Sequence, residues 1–437
     1  MRDIILAVLV FGAALVAIKR PYIGVLAWTW ISFMNPHRLT YGFAFNFPFA
    51  AVIAGATLMG FFLVREPKRL PMTPLIWTWI LFAVWICVAT FFALYPEFAT
   101  EKWSRTMKIM LISFVTVAVM VREERLHWLV WITVLSLGFY GAKGGVFTLT
   151  SFTGGRQLVY GPEGSFIEEN NALALALIMT LPLMRYLQIV SENVWVKRGL
   201  LGAMLLTVVS VVGSHSRGAF LAGIAMGLYL WMKSENRLRI GAALILVVVL
   251  VATVAPSHWV ERMQSISSYE QDTSALGRIN AWWTAFHLSN ARPLVGGGFN
   301  VLQQSETFAR YAPDPNDVHD AHSIYFEVLG EQGYVGLILF LLLGFLAWRC
   351  GSWIIRHTRD HPELLWANRL AAMLQVSLVG FATGGAFLGL AYFDLYYHLV
   401  AMLVVTRVLV QQALQTKAET LVEATAAPDV ELSRGYS

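Results

Sequence analysis

Apolar segments separated by short polar connections run along nearly the whole chain. Because a bilayer span takes about 17 to 25 apolar residues, the sequence predicts an all-α protein, a polytopic membrane bundle of about 12 or 13 transmembrane helices. The first group of segments lies at about 3–17, 22–34, 49–64, 74–94, 107–121 and 124–140. The second group lies at about 169–190, 196–213, 215–232, 239–255, 323–349, 364–384 and 389–411.

Composition supports a membrane protein that contacts lipid, and it argues against several other classes. Hydrophobic side chains make up 57% of the 437 residues and charged ones only 14%, which leaves too little polar surface for a soluble domain of this length. Lysine and arginine are scattered between apolar segments, so the net charge of +5 does not indicate a nucleic-acid partner. The two cysteines, Cys87 and Cys350, are too few for a cysteine metal cage.

The distribution of basic residues predicts how the chain is oriented. Four short connections carry residues that are typically retained in the cytoplasm: Arg65, Lys68 and Arg69; Arg122 and Arg125; Lys197 and Arg198; Lys233, Arg237 and Arg239. The other connections then face outward, and two are long, at about 141–169 and 256–321. The larger outer loop is expected to contain short helices. We therefore predict N-terminal transmembrane helices over 1–140, a transmembrane core over 141–411 and a disordered cytoplasmic tail over 412–437.

The densest polar cluster comes directly before a long apolar segment and reads Asn-Asp-Val-His-Asp-Ala-His-Ser at 316–323. His319 and His322 are therefore expected where a membrane helix begins, and the positive end of its dipole would keep a histidine neutral. A neutral histidine oriented by Asp317 or Asp320 can act as a general base. Two alternatives remain open at this point. The histidines could be interfacial polar residues, or they could bind a metal together with an aspartate.

Two further motifs carry arginines that point to anion binding. Arg217 lies in the segment Ser-His-Ser-Arg-Gly-Ala at 214–219, at an outer helix end, where an arginine is costly unless it has a partner or snorkels to the lipid headgroups. Arg278 lies in the amphipathic segment 277–283 and offers a rigid donor fork suited to phosphate oxygens. The glycines at 296–298, Gly297 among them, allow a tight turn or a close approach to a ligand.

The smaller outer loop offers a further set of candidate ligands for a glycan or a diphosphate. They are Lys143, Arg156, Tyr160 and Asn170. For Asn170 a structural role as a helix cap is equally compatible with the sequence. Farther along the chain, Glu327 and Glu331 are four residues apart on one helix face, and we expect both to face the bundle interior and to pair there.

Taken in order, these motifs resemble those of the O-antigen ligase superfamily, which includes O-antigen ligases, O-antigen polymerases and bacterial O-oligosaccharyltransferases. The resemblance rests on 216–218, 277–278, 296–299 and 319–323, followed by Gly333 and Gly336, and extends over about residues 130–410. The stretch 28–38, Trp-Thr-Trp-Ile-Ser-Phe-Met-Asn-Pro-His-Arg, resembles the branch described as exosortase-associated O-glycosylation ligases.

The resemblance implies an inverting glycosyltransferase of the bacterial inner membrane, with its active site at the periplasmic face and no metal or nucleotide cofactor. The donor would be a glycan on undecaprenyl diphosphate, and the acceptor a hydroxyl of lipid A core or protein. Arg217 and Arg278 would bind the diphosphate. His322 would be the base in preference to His319, because the family's histidine directly precedes a small polar residue, here Ser323. Ser323 and Gly297 join the predicted substrate-binding set.

Two other functions compete with a ligase. A polymerase would transfer one lipid-linked glycan onto another and would need the same diphosphate clamp and activated hydroxyl. A transporter or flippase would bind a polar lipid-linked substrate without chemistry, but transporters usually place their charged residues near the bilayer midplane, whereas these candidates collect at one surface. No DxD motif occurs around Asp314 and Asp317, so the sequence does not indicate a nucleotide-sugar donor.

Overall fold

The computed structural model describes residues 1–68, 70–151, 158–234, 236–254 and 273–426, and in these ranges the regular structure is helical, without strands. The prediction of an all-α protein is confirmed. The N-terminal helices are α1 (Arg2–Lys19), α2 (Pro21–Met34), α3 (Phe49–Leu63), α4 (Pro74–Phe91), α5 (Pro96–Val119) and α6 (Glu123–Thr150). They are followed by α7 (Asn170–Val190), α8 (Val194–Gly213), α9 (Arg217–Lys233), α10 (Arg237–Val254), α11 (Thr273–Ala291), α12 (Ser305–Tyr311), α13 (Ile324–Thr358), α14 (Leu365–Gly384) and α15 (Asp394–Ala426).

Seven helices in the described part of the chain are long and apolar enough to cross a membrane: α4, α6, α7, α8, α13, α14 and α15. Two shorter apolar helices, α2 and α3, accompany them. The chain is thus a multi-pass membrane protein, although the described helices that meet these limits of length and composition are fewer than the predicted 12 or 13. One reason is α5, which is longer than its predicted segment and begins with a charged stretch that contains Lys102, Arg105 and Lys108.

Helix α6 extends beyond residue 140, where the sequence predicted that its apolar segment would end and the outer loop would begin. It continues through 141–150, so Lys143 lies on a helix and is exposed there rather than lying in a loop. Glycines in this stretch allow α6 to pack closely on α8. A Cβ at Gly145 would overlap the backbone carbonyl of Leu206. Small residues at such contacts let membrane helices approach each other closely.

The C-terminal helix α15 also differs from the prediction. Residues 412–426 continue this helix instead of beginning a disordered tail, whereas 427–437 lie outside the described residues. Extending an existing helix avoids the cost of nucleation, and the Ala, Gln, Glu and Lys residues of this stretch favour helix. Lys417 Nζ also lies 2.8 Å from Glu363 Oε1, which ties the extension to the turn before α14.

Helix α13 is broken at Gly333, whose φ of 69° lies in the left-handed region. A side chain at Gly333 would overlap the Leu294 carbonyl, so the close approach between α13 and the segment that follows α11 requires glycine. The backbone amide of Gly297 donates to the Gly330 carbonyl at 2.8 Å. Residues 296–298, which we call the glycine loop, thus supply a partner for this helix end. The N-terminal part of α13, residues 324–332, is therefore a short separate helix, which we call the half-helix.

Candidate functional site

Arg217 and Arg278, which belong to separate sequence motifs, line the same small cleft. The other lining residues are Asn171, Ser216, Gly218, Phe387 and Leu388. The cleft therefore lies where the connection between α8 and α9 meets α11 and the turn that follows α14. Two guanidinium groups in one polar cleft favour an anionic ligand, and their planar donor forks suit phosphate oxygens.

The N-terminus of α9 adds a second source of positive potential to this cleft. Ser216 is the capping residue, and its Oγ accepts from the Ala219 amide at 3.3 Å. Arg217 is the first residue of the helix. Because a helix N-terminus carries partial positive charge and unpaired backbone amides, an anion in the cleft is stabilised by the backbone as well as by the arginines.

Asn170 stabilises this turn from the outside of the cleft. Its Nδ2 donates to the Ser214 carbonyl at 2.7 Å, while the neighbouring Asn171 lines the cleft itself. Asn170 is the first residue of α7 and Glu169 is its cap, so the structural role of Asn170 differs from the cap that the sequence left open, and its role in substrate binding stays a prediction. Asn171 was not among the candidates predicted from the sequence, because adjacent residues at a helix start cannot be told apart without the fold.

Helix α11 holds the histidine-containing loop next to Arg278. Asn280 Nδ2 donates to the carbonyls of Asp314 at 2.8 Å and Asp317 at 2.9 Å. Trp282 Nε1 donates to the Ala321 carbonyl at 2.7 Å. These bonds satisfy loop carbonyls that have no helix of their own, and they fix the polar cluster of 316–323 beside the helix that carries Arg278.

His319 lies against α11. A Cβ at Gly277 would lie 2.8 Å from the His319 Nδ1, so the motif glycine leaves room for this ring. His319 Nδ1 is also 2.7 Å from Asp317 Oδ1. An aspartate oxygen therefore lies beside His319, although this Nδ1 atom makes no hydrogen bond within the described residues, and the orientation of a catalytic histidine by an aspartate stays a prediction.

His322 lies at the start of α13 in an unusual backbone conformation. Its φ is 42°, in the left-handed region, and its side chain is half-buried. Ser323 occupies the capping position, but its side chain makes no capping hydrogen bond. A non-glycine residue in the left-handed region costs roughly 1–3 kcal/mol, and such conformations cluster at functional sites.

Other predicted ligands do not line this cleft. Tyr160 is 59% exposed in the loop before α7, Lys143 is exposed on α6, and Gly297 packs against α13. Arg156 lies outside the described residues. Within the described ranges, no three His, Cys, Asp or Glu side chains are grouped so as to hold a metal ion.

Glu327 and Glu331 are buried and paired, as the sequence predicts. Their partner is Lys102 of α5, whose Nζ lies 2.8 Å from Glu327 Oε1 and 2.6 Å from Glu331 Oε1. Sequence analysis missed this lysine because α5 carries several charged residues and a contact across so many residues leaves no local pattern. Lys102 also precedes the predicted segment 107–121, and a charged residue in a connection between segments gives no signal of this kind.

Comparison with known protein families divides the chain into two parts. Residues 202–341 match the model described as O-Antigen ligase, and residues 1–191 match a family of unknown function, DUF5935. No curated protein shows a significant match. The region 202–341 contains both arginines of the cleft, Arg217 and Arg278, and both histidines, His319 and His322. Residues 202–341 therefore form an O-antigen ligase domain, which supports the resemblance of this chain to the O-antigen ligase superfamily.

Proposed function

We propose that this protein is an inverting, metal-independent glycosyltransferase that moves a glycan from undecaprenyl diphosphate to an acceptor hydroxyl on lipid A core or protein. The observation that carries this proposal is the convergence of Arg217 and Arg278 on one cleft at the N-terminus of α9. A diphosphate is the group that such a cleft would bind best, because it offers several anionic oxygens to two donor forks.

In the proposed reaction the bond between the anomeric carbon and the diphosphate oxygen breaks, and a bond from the acceptor oxygen to that carbon forms on the opposite face. Undecaprenyl diphosphate leaves, and the acceptor proton passes to His322. Negative charge grows on the diphosphate as its bond breaks, so Arg217 and Arg278 bind the transition state more strongly than the ground state. A donor of this kind typically contributes about 3 to 4 kcal/mol.

The proposed side of the membrane is the periplasmic face of the bacterial inner membrane. Support comes from the direction of the helices. Helix α8 starts close to the basic pair Lys197 and Arg198 and ends at the connection that leads to Arg217, so the cleft and the basic pair lie at opposite ends of it. Since basic loops are retained in the cytoplasm, the cleft then faces outward.

The test is transfer of a labelled glycan by purified protein in lipid nanodiscs, with undecaprenyl-diphosphate glycan as donor and lipid A core or candidate proteins as acceptors. Product that forms on one of these acceptors both in the presence and in the absence of EDTA supports the metal-independent ligase and identifies its acceptor. Growth of the donor glycan alone would replace the ligase by a polymerase. Because broken helices also occur in transporters, vesicles that move donor across the membrane without any transfer would contradict an enzymatic function.

A further inference from the structure

A charged triplet with two buried glutamates lies near the candidate site and has no part in the reaction as described. It consists of Lys102 on α5 and Glu327 and Glu331 on the half-helix. The two glutamates are 5% and 3% exposed. Buried carboxylates are stable only where they are paired and hydrogen-bonded, so their lysine partner is a structural requirement of this position.

Backbone groups from two further segments complete the triplet. The Asn300 amide donates to Glu331 Oε1 at 2.9 Å, and the Ala391 amide donates to Glu327 Oε2 at 3.0 Å. Lys102 Nζ also lies 5.2 Å from the ring centroid of Tyr392. One lysine thereby joins α5, the half-helix, the segment after the glycine loop and the turn before α15.

The triplet lies close to both the cleft and the histidines. A Cβ at Gly389 would be 3.2 Å from Asp320 Oδ2 and 3.7 Å from a Glu327 oxygen, and the preceding Leu388 lines the cleft. His322 directly precedes the capping residue of the half-helix. A shift of this half-helix would therefore move His322 relative to the two arginines.

Other contacts from the N-terminal region hold the far end of the half-helix. Trp85 Nε1 donates to the Gln332 carbonyl at 3.0 Å, and the Leu94 amide donates to the Gly297 carbonyl at 2.9 Å. Trp85, Leu94 and Lys102 all fall in the region that matches the family of unknown function. This region thus supports the half-helix at both of its glutamates and at its C-terminal end.

We propose that Lys102 is a positioning residue for the transfer reaction, which it serves by fixing the half-helix and hence His322. The inference rests on the proposed function and extends it, because it gives the N-terminal region a task in the ligase site. Displacing a reacting group by about 1 Å can lower a rate about 100-fold. Loss of Lys102 should therefore lower kcat while leaving the apparent KM for the donor within about twofold, since the arginine cleft is unchanged.

The experiment compares wild type with Lys102→Met, Lys102→Arg and the triple variant Lys102→Met/Glu327→Gln/Glu331→Gln. The triple variant removes all three charges, so it does not leave buried carboxylates without a cation. Lys102→Arg keeps the charge but changes its geometry, and it is the variant that preserves folding if the others fail. Lys108→Met, at an exposed lysine on the same helix, is the matched control.

Two measurements are made on each protein in nanodiscs. Steady-state transfer gives kcat and KM, and hydrogen exchange of the peptide covering 324–332 reports the rigidity of the half-helix without depending on activity. We expect the triple variant to fold, to lose about 10- to 100-fold in kcat and to exchange faster in 324–332. Lys102→Arg should show the same changes to a smaller degree, and Lys108→Met should match wild type in both measurements.

A triple variant with wild-type kcat and exchange would overturn the inference, because the triplet would then only balance charge. The inference would also be overturned if Lys102→Arg showed wild-type kcat and exchange while Lys102→Met and the triple variant failed to fold. If wild type transfers no glycan, the proposed function fails by itself. Hydrogen exchange still tests the role of Lys102 in that case: faster exchange in 324–332 supports it, and unchanged exchange contradicts it.

Discussion

Arg217 is the first residue of α9 and Arg278 lies in the second turn of α11, yet both line one cleft. In the chain, helix α10 and residues 255–272 lie between α9 and α11, so it is the fold that brings the two motifs together. The N-terminal end of α9 points its partial positive charge at the same place. The proposed anion site is therefore built from a helix end and two side chains.

Replacing either arginine by glutamine should lower kcat/KM for the donor by about 100- to 1000-fold, because each guanidinium stabilises the charge that grows on the leaving diphosphate. The double variant should lose less than the product of the single losses, since both arginines act on one group. Arg310→Gln, at an exposed arginine of α12, is the control. Independent, fully multiplicative effects would indicate that the two arginines do not share a ligand.

Variants of His322 separate the role of the ring from that of the backbone. Alanine removes the ring and also occupies the left-handed conformation at φ 42°, whereas glycine removes the ring without that backbone cost. We expect both His322→Ala and His322→Gly to lose transfer, with His322→Gly the more stable in thermal unfolding. Activity regained in His322→Gly would mean that the ring is not the base.

Gly277→Ala should displace His319, because the new methyl group would lie 2.8 Å from the His319 Nδ1. We expect a smaller loss of kcat than in the His322 variants, since His319 is the less favoured base. Gly199→Ala in α8 is the control, because no atom lies within 4 Å of its added Cβ. A loss of activity in Gly277→Ala as large as that in His322→Ala would transfer the role of base to His319.

Local sequence patterns predicted the parts of this fold that depend on local physics. Apolar periodicity located the helices, and the glutamates of α13 were correctly expected to be buried and paired. Arg217 and Arg278 were chosen for their chemistry, and the fold brings them together. Such local patterns could not predict contacts between residues that are far apart in the chain. The loop predicted from residue 141 was wrong over 141–150 because the packing of Gly145 against Leu206 depends on α8, which the local sequence does not show, and Lys102 could not be assigned to Glu331 for the same reason.

His37 should make the protein sensitive to acid. Burial, together with the neighbouring Arg38 guanidinium, lowers the pKa of His37 from 6.5 to about 4. The unfolded chain then binds more protons than the folded one between these values, so stability is fully present above pH 6.5 and is lost as the pH falls towards 4. Thermal unfolding of wild type and His37→Gln over this range should show a steeper fall for wild type. Parallel curves would contradict this account.

The most direct test of the central claim is the stoichiometry of the transfer reaction in nanodiscs. Released undecaprenyl diphosphate and glycosylated acceptor are quantified together, in wild type and in Arg217→Gln/Arg278→Gln. The account predicts equal amounts of the two products in wild type and neither product above background in the variant. Release of undecaprenyl diphosphate without a glycosylated product, or full activity in the variant, would contradict it.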